Sequence, residues 1–471
     1  MKILPPILCA LATSVSVFAA ADSRPNILFI VTDDQGPWTT GYSGNQDAHT
    51  PYMDRLRSEG ANLVNSFVTT PVCSPSRTTL MTGRYASEFG ILDWINPRAE
   101  PEHGLDPRAI VWPRLLQSAG YKTGLVGKWH LGKTPRHHPT RFGYGYFMGI
   151  LTGGTTPKNP VLEKDGKEQK MEGLTVDILT DHALKFIRGN SGNRWALSLH
   201  YRAPHAAYLP VADEVWDRFK NLDVTLTDYP DLDVTMMTRV MREYLASIAD
   251  VDRNVGRLLN LLDETGLAQN TLVVFTSDHG YNVGHHGLQY KGNAFWRLQT
   301  TPAQQWEKIP ANRRPNMFDT SLRVPTIIRW PGIVRPGRTI TETVCNLDWF
   351  PTLCDIANVK IPKSVHLRGR SIQPLLQETA KNWNNDFYGE YSMRHGATTA
   401  MRVYRTPDWK LMRDFKNPGR AELYDLKYDP GETKNLIHSD SPAVKRVIAD
   451  LDKKLRAKMR EVNDRELKPV K

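Results

Sequence analysis

The sequence predicts an α/β protein built on a large, mostly parallel sheet flanked by helices, followed by a smaller antiparallel sheet with a helix. Two observations predict the larger unit: apolar, β-branched runs end abruptly in polar, Gly-rich turns, and long helical patterns separate these runs. A third predicts the smaller unit, because after residue 375 the chain changes to short strand-like segments joined by turns.

Two apolar runs carry the prediction of the large sheet. Residues 26–31 precede Thr32-Asp33-Asp34-Gln35-Gly36, and residues 271–275 precede Thr276-Ser277-Asp278-His279-Gly280. Between the runs we expect a long helix that faces the core and stops near Gly266. Its apolar positions recur at helical spacing, namely Val240, Tyr244, Ile248, Val251, Val255, Leu258 and Leu262.

The smaller unit is predicted from residues 399–404 and 409–412, which look like strands, and from the turn at 429–431. A final helix is expected, capped by Ser441 with Pro442 in its first turn. Its apolar face comprises Val444, Ile448, Leu451, Leu455 and Met459. These patterns divide the chain into a main domain over 22–375 and a C-terminal subdomain over 376–471.

The N-terminus is typical of a secretory signal peptide over residues 1–21. Lys2 precedes an apolar stretch over residues 3–18, and Ala19, Ala20 and Ala21 offer a cleavage site. The alternative is a membrane anchor, but the apolar stretch is short and interrupted by prolines, so stable membrane insertion is not expected. Cys9 precedes most of the apolar stretch, which disfavours lipid attachment. We expect an exported protein, periplasmic or secreted.

The formal net charge of +11 favours anionic partners. Nucleic acid is not expected, because the sequence has no long run of Lys and Arg and its basic residues are interleaved with acidic ones. Acidic glycans remain candidates. A solvated basic surface without a specific partner is the alternative.

Cysteine usage singles out one residue. Cleavage would remove Cys9 and leave Cys73, Cys345 and Cys354, an odd number for an exported protein. Cys345 and Cys354 could form a disulfide or remain as buried thiols. Either way, Cys73 is left as a candidate for special chemistry.

Acidic residues follow both apolar runs of the predicted sheet. Ligand sites of open α/β sheets lie beyond the carboxyl ends of the strands, so Asp33, Asp34, Asp278 and His279 should converge. Three carboxylates together require a cation, and oxygen ligands favour calcium or magnesium over zinc. Taken alone, each Asp pair could instead serve a turn or a helix cap.

A second set of candidate residues is basic. Lys128 and His130 follow one apolar segment, His205 follows another, and Lys291 follows a stretch rich in Gly and His. Singly, each could be a surface or core residue. Their shared placement after strand-like runs predicts an anion site.

One run of residues carries a specific motif. Cys73-Ser74-Pro75-Ser76-Arg77, followed by Leu80-Met81-Thr82-Gly83-Arg84, resembles the maturation signature of the type I formylglycine-dependent sulfatases of the alkaline-phosphatase-like superfamily. The resemblance extends along most of the chain. It includes Arg24-Pro25-Asn26, Thr50-Pro51-Tyr52-Met53-Asp54-Arg55-Leu56, Gly120-Tyr121-Lys122-Thr123, Arg323-Val324-Pro325, Glu422-Leu423-Tyr424-Asp425-Leu426, Asp429-Pro430 and Glu432. It implies the α/β architecture already predicted from the patterns.

The resemblance also implies a nucleophile and a cofactor. A maturation enzyme would oxidise Cys73 to formylglycine, whose hydrated form attacks sulfur with one hydroxyl and expels sulfate with the other. A Ca²⁺ ion would be bound by Asp33, Asp34, Asp278, the modified residue 73 and His279. Many relatives have Asn where this chain has His279, which puts the ligand set in doubt.

Five further roles follow from the resemblance alone. Arg77 and Lys128 match residues that brace the hydrated nucleophile, and His130 matches the base that removes its second proton. His205 and Lys291 match the pair that grips sulfate and protonates the leaving oxygen. Either of these two could be the acid.

Two segments are candidate walls of a substrate site. About thirty residues separate Gly292 from Arg323, where many relatives have a short link, and residues 94–103 form the second segment. The insertion contains residue types that stack on sugars or bind anions, Trp296, Arg297, Trp306, Arg313 and Arg314. Packing within a surface loop is the alternative for each.

These features predict a sulfatase whose substrate is a sulfated carbohydrate. A phosphomonoester or phosphonate-ester hydrolase on the same fold is one alternative, because fold does not determine function. A non-catalytic glycan-binding protein in which Cys73 remains a thiol is the other.

Overall fold

The computed structural model describes residues 24–467, so the predicted signal peptide over residues 1–21 lies outside the described residues. The strands are β1 (Asn26–Thr32), β2 (Ala61–Leu63), β3 (Ser66–Phe67), β4 (Lys122–Lys128), β5 (Tyr146–Ile150), β6 (Val161–Lys164), β7 (Lys167–Lys170), β8 (Trp195–His200), β9 (Thr271–Ser277), β10 (Asn282–Val283), β11 (Leu288–Tyr290), β12 (Phe295–Trp296), β13 (Ile327–Arg329), β14 (Arg338–Ile340), β15 (Val344–Cys345), β16 (Phe387–Tyr391), β17 (Met401–Arg405), β18 (Trp409–Asp414) and β19 (Glu422–Asp425).

The α-helices are α1 (Pro51–Ser58), α2 (Cys73–Thr82), α3 (Trp112–Ser118), α4 (Thr175–Gly189), α5 (Asp213–Phe219), α6 (Val234–Glu264), α7 (Asp319–Leu322), α8 (Trp349–Ile356), α9 (Gln373–Leu376) and α10 (Pro442–Glu461). Within residues 24–467, none of the helices is both long enough and apolar enough to cross a bilayer.

A ten-stranded sheet forms the main body, in the order β14-β2-β13-β9-β1-β8-β4-β5-β6-β7. Its central strands β9, β1, β8, β4 and β5 are parallel, while β13 on one side and β6 and β7 on the other pair antiparallel. The prediction of a large, mostly parallel central sheet is confirmed.

Helices cover both faces of this sheet. In β1, Leu28 and Ile30 pack with α4 and α6, whereas Ile27, Phe29 and Val31 pack on the opposite face with α3 and α8. Because successive side chains of a strand point to opposite faces, a strand buried on both sides has an unbroken apolar sequence. The predicted long helix is α6, and Gly266 follows it with a φ of +71°.

The C-terminal part contains the predicted antiparallel sheet, β16-β17-β18-β19, with α10 packed against it. Leu451, Leu455 and Met459 of α10 are buried. The expected side-chain cap is wrong: Ser441 occupies the N-cap position but its hydroxyl makes no capping hydrogen bond. Ser441 is exposed, so water can satisfy the free amides at this helix end.

Candidate active site

The ends of the parallel strands β1, β4, β8 and β9 assemble the site. Asp33 and Asp34 follow β1, Lys128 ends β4, and Asp278 follows β9. Strand register aligns these ends, because Thr32 pairs with Ser277 and Val31 pairs with His200. The two acidic clusters predicted from separate parts of the sequence therefore meet at one edge of the sheet.

Cys73 is the first residue of α2 and is only 4% exposed. The N-terminus of a helix favours negative charge, and Lys291 Nζ lies 3.6 Å from the Cys73 sulfur. Burial alone would raise the pKa of the Cys73 thiol, but the charges of Lys128 and Lys291 outweigh it and lower that pKa. The residue is buried yet stabilised as an anion.

Each carboxylate of the site is paired with a buried cation. Asp33 Oδ2 lies 2.5 Å from Lys128 Nζ, and Asp34 Oδ1 lies 2.5 Å from Lys291 Nζ. Arg77 Nε donates to Asp278 Oδ2 at 2.9 Å. Charges removed from water require such partners, since an isolated buried charge is costly.

His279 presents a free nitrogen to all three carboxylates. Its Nδ1 lies 3.0 Å from the Gly280 carbonyl oxygen, which can only accept, so we infer that the proton is on Nδ1. The lone pair on Nε2 then faces oxygens of Asp34 at 3.1 Å, Asp278 at 3.3 Å and Asp33 at 3.9 Å. With the proton on Nδ1, this lone pair is available to a metal ion.

The donor set fits a metal ion. One donor atom each from Asp33, Cys73, Asp278 and His279 lies within 4.8 Å of the other three. Asp33 Oδ1, Asp34 Oδ2 and His279 Nε2 are buried without a hydrogen-bond partner. Burial, with the nearby charge of Asp33, raises the pKa of Asp278 to about 7. These features are those of carboxylates gathered for a divalent cation.

His130 approaches from the loop after β4. Its Nε2 lies 3.0 Å from the Ile95 carbonyl oxygen, while its buried Nδ1 has no partner. Burial first, and then the charge of Lys128, holds the pKa of His130 well below its ordinary value. The imidazole is neutral, as a base must be.

His205 and Lys291 differ in protonation. Burial lowers the pKa of His205 to about 4, although its side chain is 30% exposed and its Nε2 lies 4.0 Å from Asp34 Oδ2. Burial would also lower the pKa of Lys291, but the charges of Asp34 and the other nearby anions together outweigh it and raise that pKa above its ordinary value. In the free protein Lys291 therefore carries a proton and His205 does not.

Two residues of the site were missed by the sequence analysis, His200 and Arg202. His200 Nδ1 lies 3.2 Å from the Lys128 carbonyl oxygen and 3.4 Å from Arg77 Nη1. The Arg202 side chain donates to the carbonyls of Ala206 and Ala207, and Asp33 and Asp34 raise its pKa against the larger lowering by burial. His200 is the last residue of β8 and Arg202 lies two residues further on. The rule that ligand sites lie beyond the carboxyl ends of strands could therefore have found both.

The remaining cysteines are not paired with each other. Cys345 and Cys354 are both free thiols, and burial is the main cause that raises the pKa of each, for Cys354 to about 12. Of the two possibilities left open by the sequence, the structure has thiols rather than a disulfide.

A family model described as Sulfatase matches residues 25–359, which hold every residue of the site. A second model, described as N-sulphoglucosamine sulphohydrolase, C-terminal, matches residues 312–461. The chain belongs to the sulfatase family, on the alkaline-phosphatase-like fold, and is a sulfuric ester hydrolase.

Individual relatives that this chain resembles are also named as sulfatases. An N-acetylglucosamine-6-O-sulfatase of Bacteroides thetaiotaomicron is 28% identical, with 92% of this chain and 86% of the relative covered. A human steryl-sulfatase is 29% identical, covering 79% and 73%. An ulvan-active sulfatase of Formosa agariphila is 25% identical, covering 94% and 82%.

Solved structures share the fold. A protein solved in complex with its substrate D-glucosamine-2-N,6-O-disulfate superposes with a TM-score of 0.80 at 26% identity, covering 94% of this chain and all of that one. A phosphonate monoester hydrolase of Silicibacter pomeroyi superposes with a TM-score of 0.69 at 20% identity, covering 94% and 97%. The latter likeness concerns the fold alone.

Proposed function

We propose that the protein is an exported sulfatase that hydrolyses sulfate esters of carbohydrates, with a nucleophile made by oxidation of Cys73 to formylglycine and a bound Ca²⁺. The observation that carries the proposal is the environment of Cys73, a buried helix-terminal residue beside Lys291 and the donors of Asp33, Asp278 and His279. A maturation enzyme is the partner that this oxidation requires.

The calcium site would comprise Asp33, Asp34, Asp278, His279 and an oxygen of the modified residue 73. When bound, the ion would supply Lewis-acid stabilisation of negative charge at sulfate and nucleophile. His279 suits this role because its proton is directed to Gly280 and its Nε2 lone pair to the carboxylates. Asp34 would have to share its carboxylate between the ion and Lys291.

Five side chains would act on the nucleophile and the substrate. Arg77 and Lys128 place positive charge beside residue 73, and His130, neutral and with a free Nδ1, can take a proton from it. Lys291 is protonated, so it can neutralise a sulfate oxygen and supply a proton to the leaving group. His205 would orient the ester from the exposed side of the site.

Carbohydrate is favoured over a steroid as the leaving group. Relatives include enzymes named for both kinds of substrate. The insertion that follows Lys291 lines a cavity with polar and aromatic residues, including Trp296 and Arg313. Sugars are recognised by such residues, whereas a steroid needs an apolar wall.

Two measurements test the proposal. Mass spectrometry of the peptide containing residue 73, from protein made in its native host, should show the thiol replaced by an aldehyde. The same protein should hydrolyse sugar sulfates much faster than the matching phosphate esters. An unmodified thiol in active protein, or faster turnover of the phosphate esters, contradicts the proposal.

A further inference from the structure

Three separate segments meet beside the entrance to the catalytic site. The first is the loop at residues 93–100, whose Ile95 amide donates to Ser74 Oγ at 3.0 Å and whose Ile95 carbonyl contacts His130. The second is the insertion around Arg313, and the third is the loop after β16 at residues 392–396. Because Ile95 touches both the nucleophile helix and His130, its neighbours lie at the rim of the site.

Asp93 joins the first segment to the third. Its carboxylate accepts hydrogen bonds from the amides of Arg394 at 2.7 Å and His395 at 3.0 Å, and from the Tyr391 hydroxyl at 3.2 Å. Burial, and then the charge of Asp93, raises the pKa of Tyr391. Asp93 is therefore used in holding the loops together and is not free to bind a ligand.

The joined loops present an aromatic surface made of two rings tilted by 49°. The ring of Trp94 lies against that of His395, with centroids 4.7 Å apart, and His395 Nε2 lies 3.5 Å from Glu100. Trp94 and His395 are both half-buried, so each keeps part of its surface open. Aromatic rings held in this way are platforms on which sugar rings stack.

Arg313 places a positive charge next to this surface. An added Cβ on Gly396, the residue after His395, would lie 2.7 Å from Arg313 Nη2. The guanidinium lies over the Phe295 ring at 3.8 Å and donates one hydrogen bond, from Nη1 to the Asn293 carbonyl at 3.3 Å. Among residues 24–467, no carboxylate forms an ion pair with it, and its Nε and Nη2 donors make no hydrogen bond.

Arg314, the next residue in the same segment, has a structural role and serves as a comparison. Arg314 pairs with Glu422 and packs over Phe318 at 5.6 Å, so its charge is neutralised within the fold. Trp306 packs against Gly419, another contact that holds the insertion to the C-terminal sheet. Arg313 differs because it is positioned by its backbone neighbours and by Phe295, while its charge and a pair of donors remain unused.

We propose that Arg313, with Trp94 and His395, forms a subsite that binds a second anionic group on the sulfated sugar, a carboxylate or a second sulfate. The proposal rests on the carbohydrate sulfatase activity proposed above and narrows its substrate class. A guanidinium with free Nε and Nη2 donors matches the paired oxygens of either anion. Arg313 also lines a cavity of about 200 Å³ with Trp296 and Trp306, which leaves room for a ligand beside it.

Paired substrates test this subsite and separate its two possible ligands. One pair is N-acetylglucosamine 6-sulfate and glucosamine N-sulfate 6-sulfate, which differ in a second sulfate. The other is a sulfated disaccharide that contains a uronic acid and the same disaccharide with its carboxyl group reduced. For the group that the subsite binds, the kcat/KM ratio between the two members of the pair should fall about 10- to 100-fold in Arg313→Gln.

The control is Arg98→Ala, which removes an equal charge from an exposed position of the first loop and should leave both ratios unchanged. A second variant, Gly396→Ala, keeps the charge but should displace Arg313, and we expect the same direction of change. If Arg313→Gln lowers the rates for both members of each pair equally, or changes neither, the subsite is wrong.

Failure of the proposed carbohydrate sulfatase function would give different results from failure of the subsite alone. Wild-type protein with an oxidised residue 73 that hydrolyses 4-nitrophenyl sulfate but none of the sugar sulfates overturns the subsite and the carbohydrate assignment together. Wild-type protein that prefers phosphate esters overturns the sulfatase mechanism and the subsite together, whereas a failure confined to Arg313→Gln overturns the subsite alone.

Discussion

Two buried Arg–Asp pairs in this protein have the same chemistry and different surroundings. In the C-terminal subdomain, Arg402 donates from Nε and Nη2 to both oxygens of Asp464, and its Nη1 donates to Ser392 and Met401. In the active site, Arg77 donates from Nε to Asp278 and from Nη1 to the Lys128 carbonyl, while its buried Nη2 has no partner.

The difference shows how a functional ion pair departs from a structural one. Around Arg402 each of the three guanidinium nitrogens donates a hydrogen bond, so the pair is complete within the fold. Around Arg77 a donor, two carboxylate oxygens and a histidine nitrogen remain free and converge. A cluster of buried polar groups without partners calls for an explanation, here by our proposal a metal ion and a sulfate ester.

The largest effect should come from the nucleophile. By our proposal, replacing Cys73 by Ala removes the group that attacks sulfur, so turnover of 4-nitrophenyl sulfate should fall by at least about 10³-fold. Thermal stability should change little, because the small side chain is lost from a polar site. Substantial residual turnover by the Ala variant would assign the attack to another residue.

Replacing each of the two arginines by Met in turn tests the comparison directly. Arg402→Met should lower the free energy of unfolding by about 3–5 kcal/mol, because Asp464 is left buried and unpaired, and should leave kcat of the folded protein unchanged. Arg77→Met should lower kcat/KM by about 10²-fold or more. Its cost in stability should be smaller, since Asp278, with a pKa already raised to about 7, can take up a proton.

Urea unfolding and steady-state kinetics on both variants measure these two effects. The comparison fails if Arg402→Met abolishes activity in protein that remains folded, or if Arg77→Met leaves kcat/KM intact.

Calcium should stabilise the protein through the active-site pair, Arg77 and Asp278, and not through the pair of Arg402 and Asp464. At a Ca²⁺ concentration about 100-fold above its Kd, binding should stabilise the protein by about 2.7 kcal/mol, and a chelator should reverse this. Asp278→Asn should lose the response, whereas Arg402→Met should keep it. Thermal melts with and without the ion measure it, and a Ca²⁺ response retained in Asp278→Asn would place the ion elsewhere.

The smallest expected effect is a loss of folding stability in mild acid. The pKa of His205 is lowered to about 4, so between about pH 6.5 and pH 4 the unfolded chain binds its proton and the folded chain does not. Stability should therefore fall as the pH falls through this window. Arg402 lowers the pKa of Asp464 against burial, so the loss of stability from that pair lies mostly at lower pH, from near the ordinary aspartate pKa downward.

His205→Gln should reduce the fall in melting temperature between pH 6.5 and pH 4.5, measured against the wild type. An unchanged acid dependence in the variant would show that His205 is protonated at the same pH in both states.

Much of the fold could be predicted because its signals are local. The unbroken apolar run of β1 and the helical spacing in α6 both reflect burial against neighbours, and the structure has both elements close to the predicted bounds. The hydroxyl of Ser441 was predicted to cap α10 and does not, because a residue type alone does not decide whether a side chain or water satisfies a helix end.

The candidate site was predicted by a motif and by one rule about strand ends. Cys73, Asp33 and Asp278 follow from these, and the structure brings them together although more than two hundred residues separate Asp33 from Asp278. His200 and Arg202 were missed because only His205 was taken from the segment at the end of β8, although the rule about strand ends applies equally to the other two.

The sequence by itself determined the fold class, the family and the identity of the candidate nucleophile, because these depend on local periodicity and on one contiguous motif. Only the tertiary structure decided which of two adjacent arginines is free. Arg313 and Arg314 are indistinguishable in sequence, and they differ because Glu422, from a distant strand, reaches one and no carboxylate of residues 24–467 reaches the other. Charge compensation in a folded chain depends on long-range contacts.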